Sequence, residues 1–166
     1  MKSASFDHYL ALPQKVNDKF ELAIGSTTAP KGKLAEAGWQ TTDPLSVTLS
    51  PDTYQQYIRQ SKGERSIAKQ GYATSNSGWF SERSTGYLAS GRPVVVQETG
   101  FSEFIETGRG LFSFTSPAEA VVAIEEVNHN YAAHCKWARE IAEEYFRFDK
   151  VLNALLLYCQ TPVPIN

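Results

Sequence analysis

The sequence predicts a doubly wound, mainly parallel α/β domain, and three observations carry that expectation. Short apolar runs recur at Phe20–Gly25, Leu45–Leu49, Pro93–Gln97 and Gly110–Phe114. Helix-start signals stand between them: Ser50-Pro51-Asp52, Ser81, and Ser116-Pro117-Ala118-Glu119. The third run holds three consecutive valines, Val94, Val95 and Val96, with no polar alternation. Such a run fits a strand buried on both faces, as in a parallel sheet flanked by helices. At 166 residues the chain is long enough for one such domain with a core of its own. Its residues 117–166 form a helical C-terminal part.

Taken in order, residues 5–12 read as the end of a helix, with Phe6, Tyr9, Leu10 and Leu12 on its apolar side and Pro13 to end it. Phe20–Gly25 is the first strand, followed by a loop at Ser26, Thr27 and Thr28. Lys31–Ala37 is a short helix that Gly38 stops. The second strand lies within Trp39–Leu49, at Leu45–Leu49. Ser50 and Pro51 open a helix as cap and first helical residue, and Tyr54, Tyr57 and Ile58 follow at helical spacing. Glu64–Ala68 reads as a strand end and Lys69–Gly78 as a polar loop. Ser116 and Glu119 make a capping box with Pro117 in the first turn. Helices follow over about residues 117–129, 131–144 and 147–159. Tyr131, Cys135, Ala138, Ala142 and Tyr145 step along one face, and Phe148, Leu152, Leu155 and Leu156 along another. Both faces are expected to pack in the core.

Bulk composition excludes several classes. Net charge is −2, and no basic stripe argues for nucleic acid. The clusters Lys31/Lys33 and Arg59–Arg65 read as solvated faces. Cys135 and Cys159 lack a CxxC spacing, which points to a reducing compartment and no metal site. No basic-then-apolar leader and no run of membrane-spanning length is present, so the expected location is cytoplasmic.

The stretch from Trp79 to Glu103 organises the chain as loop, helix, tight turn, buried strand and second glycine-containing loop. Ser81 caps its helix, Leu88 and Ala89 supply the apolar side, and Gly91 stops it. In such sheets ligands bind beyond the carboxyl ends of the strands. That rim carries Ser81, Glu82, Arg83 and Ser84 at a helix start, and Glu98 to Glu103 after the strand. Free N–H groups, two hydroxyls and an arginine make an anion site. The same residues also read as an ordinary cap, a solvated side chain and an ordinary stop.

Leu88-Ala89-Ser90-Gly91-Arg92-Pro93-Val94-Val95-Val96 and Gly100-Phe101-Ser102-Glu103-Phe104-Ile105 resemble the C-terminal, donor-binding domain of group 1 (GT-B type) glycosyltransferases. Those enzymes consist of two Rossmann-like domains. The family's paired glutamates would fall on Trp79 and Gly86, so both carboxylates are missing. The resemblance implies a Rossmann-like sheet that binds a nucleotide-diphosphate sugar without a metal or other cofactor. It assigns the diphosphate to Arg83 and the N–H groups of Ser84 and Thr85, beside Ser81. It places the sugar near Glu98, Thr99, Gly100 and Phe101, and the ribose hydroxyls at Glu103, which otherwise caps the next element.

It also implies that the chain opens inside the family's first helix. The first strand and the whole N-terminal acceptor domain would then be absent, and Lys2 would stand near a family phosphate lysine or be a frayed terminal residue. Loss of a central first strand leaves a gap to be closed by re-pairing, by a separate N-terminal half or by self-association.

Other constellations fall short. Gly25…Gly32-Lys33-Leu34 lacks the spacing and the hydroxyl of a P-loop. Gly108-Arg109-Gly110 is a turn. His129 and His134 are five apart rather than four and read as surface residues, and no nucleophile elbow is present. Two functions are expected from different classes: the donor half of a glycosyltransferase, inactive alone, or a non-catalytic nucleotide-binding or protein-interaction module.

Overall fold

A computed structural model describes residues 6–160. Among the described residues five strands, all parallel to their partners, fall in two sheets. β1 (Phe20–Ala23) pairs with β2 (Trp39–Thr42), with Phe20 opposite Trp39. β4 (Val94–Gln97) lies between β3 (Glu64–Ser66) and β5 (Leu111–Phe114), with Val94 opposite Glu64 and Leu111. The helices are α1 (Lys31–Glu36), α2 (Pro44–Thr48), α3 (Pro51–Gln60), α4 (Gln70–Thr74), α5 (Glu82–Ala89), α6 (Pro117–His129), α7 (Tyr131–Tyr145) and α8 (Phe148–Gln160). The α/β class and the parallel pairing agree with the sequence. The continuous sheet does not, because it is divided into β2-β1 and β3-β4-β5.

Two local readings are corrected. Leu45–Leu49 is not a strand. Asp43 accepts from the Leu45 N–H at 3.0 Å and Pro44 opens α2. Leu45 and Leu49 are 69% and 80% exposed, so the run has no apolar face to bury in a sheet. The second strand is the preceding Trp39–Thr42, whose tryptophan donates to the Leu10 carbonyl at 2.7 Å. The segment expected as helix at 5–12 is helical at Phe6–Asp7, then turns into a 3₁₀ turn at Leu12–Gln14 around Pro13. Lys69–Gly78 also holds a turn of helix, α4.

The valines of β4 place the core on both sides. Side chains alternate along a strand, so Val95 joins Phe114, Phe20, Trp39, Leu34, Ile124 and Val127 on one face. Val94 and Val96 join Leu88, Phe101, Leu111 and Ile141 on the other. Val94, Val95 and Val96 are each at most 5% exposed, and each such burial stabilises by about 1.5–3 kcal/mol. Helix starts follow their sequence signals. Ser50 and Thr53 form a reciprocal cap for α3. Ser116 accepts from the Glu119 N–H at 3.3 Å, while the Glu119 carboxylate reaches back to the Thr115 N–H at 2.7 Å.

The expected apolar face of Phe148, Leu152, Leu155 and Leu156 is not core. No residue of α8 is buried, and these four are 52–76% exposed. On α7 the expected face holds, with Ala138 and Ala142 buried. Among the described residues no helix is long and apolar enough to cross a membrane.

His134 is the second surprise of the helical part, being 1% exposed rather than on the surface. Its Nδ1 accepts from the Gly110 N–H at 3.1 Å, which places the proton of the neutral ring on Nε2. Phe112 and Trp137 enclose it, with ring centroids 5.3 and 4.9 Å away. Burial depresses its pKa, although Glu126 opposes the shift. The unfolded chain therefore binds this proton at higher pH than the folded one. The stability from neutral His134 is complete above about pH 6.5 and falls as pH drops through the window below it. Melting temperatures from pH 8 to 5 should be flat at first and then decline. In His134→Gln the part of the decline nearest pH 6 should disappear; an unchanged profile would remove His134 as its source.

Candidate functional site

Helix α5 begins at the carboxyl ends of β3 and β4. Ser81, extended at φ −81°, caps it by accepting from the Arg83 N–H at 3.3 Å. The Thr85 N–H closes onto the Ser81 carbonyl at 3.2 Å, and its hydroxyl turns to the same carbonyl at 3.5 Å. Of the two amides expected to hold diphosphate, only that of Ser84 lies in the open first turn, where α-helices leave N–H groups without intrahelical partners. Ser84 is 1% exposed, and its Oγ is buried with no hydrogen-bond partner.

Arg83 turns away from this opening. Its Nε donates to Glu64 Oε1 at 2.6 Å and its Nη2 to Ser66 Oγ at 2.9 Å. Burial works against its charge, but Glu64 more than compensates and its pKa is raised. The arginine joins α5 to β3, and a cleft shared with Glu98–Phe101 is not where it points.

The loop after β4 is closed by its own residues. Glu98 Oε1 accepts from the Thr99 and Gly100 N–H groups at 3.0 and 2.7 Å. Burial works against its charge, yet these donors with the Ser102 and Ser113 hydroxyls hold its carboxyl below the usual range. Thr99 Oγ1 donates to the Trp79 carbonyl at 2.6 Å, and the Gly78 N–H donates to the Thr99 carbonyl at 2.7 Å. Gly100 has φ 94°, and a Cβ there would lie 2.9 Å from the Asn76 carbonyl oxygen. Phe101 is buried against Phe80 with centroids 5.1 Å apart. Glu103 is exposed in a 3₁₀ turn. Lys2 lies outside the described residues.

Two hollows open at this rim. A small one, about 10 Å³, is lined by Ser66, Ser81, Ser84, Val96, Gln97 and Phe101, space on the order of one water. Of the expected site residues it gathers Ser81, Ser84 and Phe101, and it leaves out Arg83, Thr85, Glu98, Thr99, Gly100 and Glu103. The larger hollow, about 440 Å³, lies between His8, Tyr9, Gln70, Thr74, Gln97 and the α6 start at Thr115–Pro117. Gln97 lines both, and its Oε1 accepts from the Ala68 N–H at 3.1 Å. Tyr9 donates to the Thr115 carbonyl at 3.1 Å and fixes the far wall. Gln97 and Thr115 are polar residues at the carboxyl ends of apolar runs, which is a legible signal. Tyr9 and Thr74 carry none.

The hollow of about 440 Å³ is of the size that holds a small organic ligand, and its mostly apolar wall, which includes Ala73 and Pro117, carries amide, hydroxyl, imidazole and phenol groups. No family model, no curated protein and no solved structure matches the chain.

Proposed function

We propose that the chain is a donor-binding domain that holds a nucleotide-diphosphate sugar at the carboxyl rim and does not by itself transfer the sugar. The observation that carries this reading is the buried Ser84 hydroxyl without a partner, at the start of α5 in the small hollow. A buried polar group without a partner is costly, and a phosphate oxygen at a helix N-terminus would satisfy it. Gln97 connects this point to the larger hollow, which has room for the rest of the donor. The likeness of Gly91-Arg92-Pro93-Val94-Val95 to glycosyltransferase donor domains supports the same class.

Transfer needs an acceptor hydroxyl held against the donor, and no second domain faces the rim among the described residues. Positioning of this kind accounts for about 7–11 kcal/mol of a barrier. Purified chain incubated with nucleotide sugars and simple sugar acceptors should release nucleotide at the no-protein rate. UDP or a UDP-sugar should raise its melting temperature, since a ligand that binds only the native state stabilises it by mass action. Turnover lost in Ser84→Ala would show a complete site. No shift with any nucleotide at millimolar concentration would end the donor reading.

A second reading, a non-catalytic interaction module, is favoured by the engagement of Arg83 with Glu64 and of Glu98 with its own loop. Binding of a protein partner that nucleotides do not alter would support it.

A further inference from the structure

We propose that the larger hollow is a binding site for an uncharged polyol, whose hydroxyls donate to its wall and accept from Gln97. The inference goes beyond the donor reading, since a free polyol would bind with no diphosphate attached. The hollow has room for such a ring, at about 440 Å³.

What each polar group of the wall has left to offer follows from the bonds it already makes. Tyr9 spends its hydrogen on the Thr115 carbonyl at 3.1 Å, and Thr74 spends its own on the Gln70 carbonyl at 3.0 Å. The Thr115 hydroxyl donates to Glu119 Oε2 at 2.8 Å, and the Ser116 hydroxyl hydrogen-bonds the same carboxylate. These oxygens keep lone pairs for a ligand but no hydrogens. Gln97 is the reverse. Its Oε1 accepts from the Ala68 N–H at 3.1 Å, which fixes the orientation of the amide. The Nε2 hydrogens are left without a protein partner among the described residues. The wall thus offers several acceptors beside one fixed donor group.

This inventory selects the ligand. A phosphate oxygen only accepts, so it would meet the hydroxyl lone pairs with repulsion. Charge argues in the same direction, because no lysine or arginine lines the hollow. Glu119 stands behind Thr115, and its charge reaches Tyr9. Burial and, after it, Glu119 push the Tyr9 phenol up, so it stays protonated through the neutral range.

A nucleobase is disfavoured for a different reason. Bases are held by stacking on aromatic faces, but Tyr9 is 4% exposed and packs against Phe114 with centroids 5.3 Å apart. That leaves the single exposed imidazole of His8. A polyol satisfies both kinds of polar group, because each hydroxyl donates one hydrogen and accepts through its lone pairs. Its C–H faces suit Ala73 and Pro117 in the same wall.

The test is an NMR titration of isotope-labelled protein, with glucose, myo-inositol, uridine and inorganic pyrophosphate as probes. It reads the Gln97 side-chain amide and the backbone amides of Ser116 and Ala118. Glucose or inositol should move these signals saturably, while pyrophosphate at matched ionic strength should leave them in place. Gln97→Glu keeps an acceptor for Ala68 and replaces the donors with a second oxygen. It should weaken polyol binding by about 3–10-fold, the worth of one hydrogen bond. Ala73→Trp, which fills the hollow from α4, should abolish binding at an unchanged melting temperature. Signals that neither polyol moves would overturn the proposal. So would stronger binding of pyrophosphate or uridine at the same signals, or polyol binding that either variant leaves intact. A UDP effect at Ser84 without a polyol effect at Gln97 would sink this inference alone. A polyol effect without any nucleotide effect would uphold it and end the donor reading.

Discussion

Gly110→Ala should cost about 3–5 kcal/mol, a large part of the about 5–15 kcal/mol by which a domain is stable. Gly110 has φ +69°, and a Cβ on it would lie 2.4 Å from the Ala138 nitrogen and 2.7 Å from the Trp137 carbonyl carbon. Those atoms are the backbone of α7, which cannot yield as a side-chain tip does. Two hydrogen bonds fix the glycine where it is: its N–H donates to His134, and its carbonyl accepts from Val94 at 2.9 Å. Any shift that relieves the clash pulls on β4, on the buried imidazole, or on both. Overpacking of this kind costs about 1–3 kcal/mol where side chains can adjust, and here left-handed strain of about 1–2 kcal/mol is added. Gly108→Ala is the control, since Gly108 also has positive φ (98°) but nothing lies within 4 Å of its Cβ position. Urea midpoints measure both. A Gly110→Ala protein within 1 kcal/mol of Gly108→Ala would show that α7 does not press on this turn.

Arg83→Ala should destabilise by about 1–3 kcal/mol, because Glu64 is buried while the arginine side chain is 42% exposed and solvent can replace part of its contact. Glu64 is 5% exposed, and the arginine is its only ion-pair partner among the described residues. The expected loss comes mainly from Glu64, so Glu64→Gln in the Arg83→Ala background should recover a large part of it. A paired Glu64→Leu/Arg83→Met replacement should come closer to the parent than Arg83→Ala does, since apolar replacement of both partners of a buried pair is often neutral. Arg83→Lys should fall between, because an ammonium does not present the planar fork that reaches Glu64 and Ser66 together. Thermal unfolding of the four proteins decides the matter. Equal loss in Arg83→Ala with and without Glu64→Gln would show that the guanidinium acts through something other than the carboxylate. Any nucleotide-binding measurement on Arg83→Ala must first show that the protein is folded, since this side chain holds α5 to β3.

How much was legible follows from where each signal resides. Val94–Val96 announced a central strand because burial on both faces excludes polar alternation. Ser50, Ser81 and Ser116 announced helices because a cap is a local hydrogen bond between residues two or three apart. Leu45–Leu49 misled because a short apolar run carries no record of what it touches, and Asp43-Pro44, a helix-opening pair, outweighed it. Glu64–Ser66 was legible as the end of a strand despite its charges, and the fold explains one of them, since Glu64 pairs with Arg83. The rim was legible through Ser81 and Gly100, where backbone geometry demands particular residues. The direction taken by Arg83 was not, because it depends on a glutamate 19 residues away in the chain. The larger hollow was hidden in part for the same reason: Gln97 and Thr115 stand at the ends of apolar runs, but Tyr9 and Thr74 join them only through tertiary packing.

Helix α8 has a thermodynamic consequence of its own. Without a buried residue it takes no share in the packing that makes unfolding all-or-none, and an isolated helix of 13 residues is marginal in water. Its links to the body include the Lys150–Glu144 ion pair at 2.6 Å, of a kind worth about 0–1 kcal/mol. The cooperative unit therefore ends near Phe146, which stacks on Phe80. Beyond that ring the helix Phe148–Gln160 follows a helix–coil equilibrium of its own, broad in temperature and only weakly linked to the domain's melting. A spectroscopic helix signal from the whole protein then contains two populations, and a single enthalpy fitted to it would understate that of the domain.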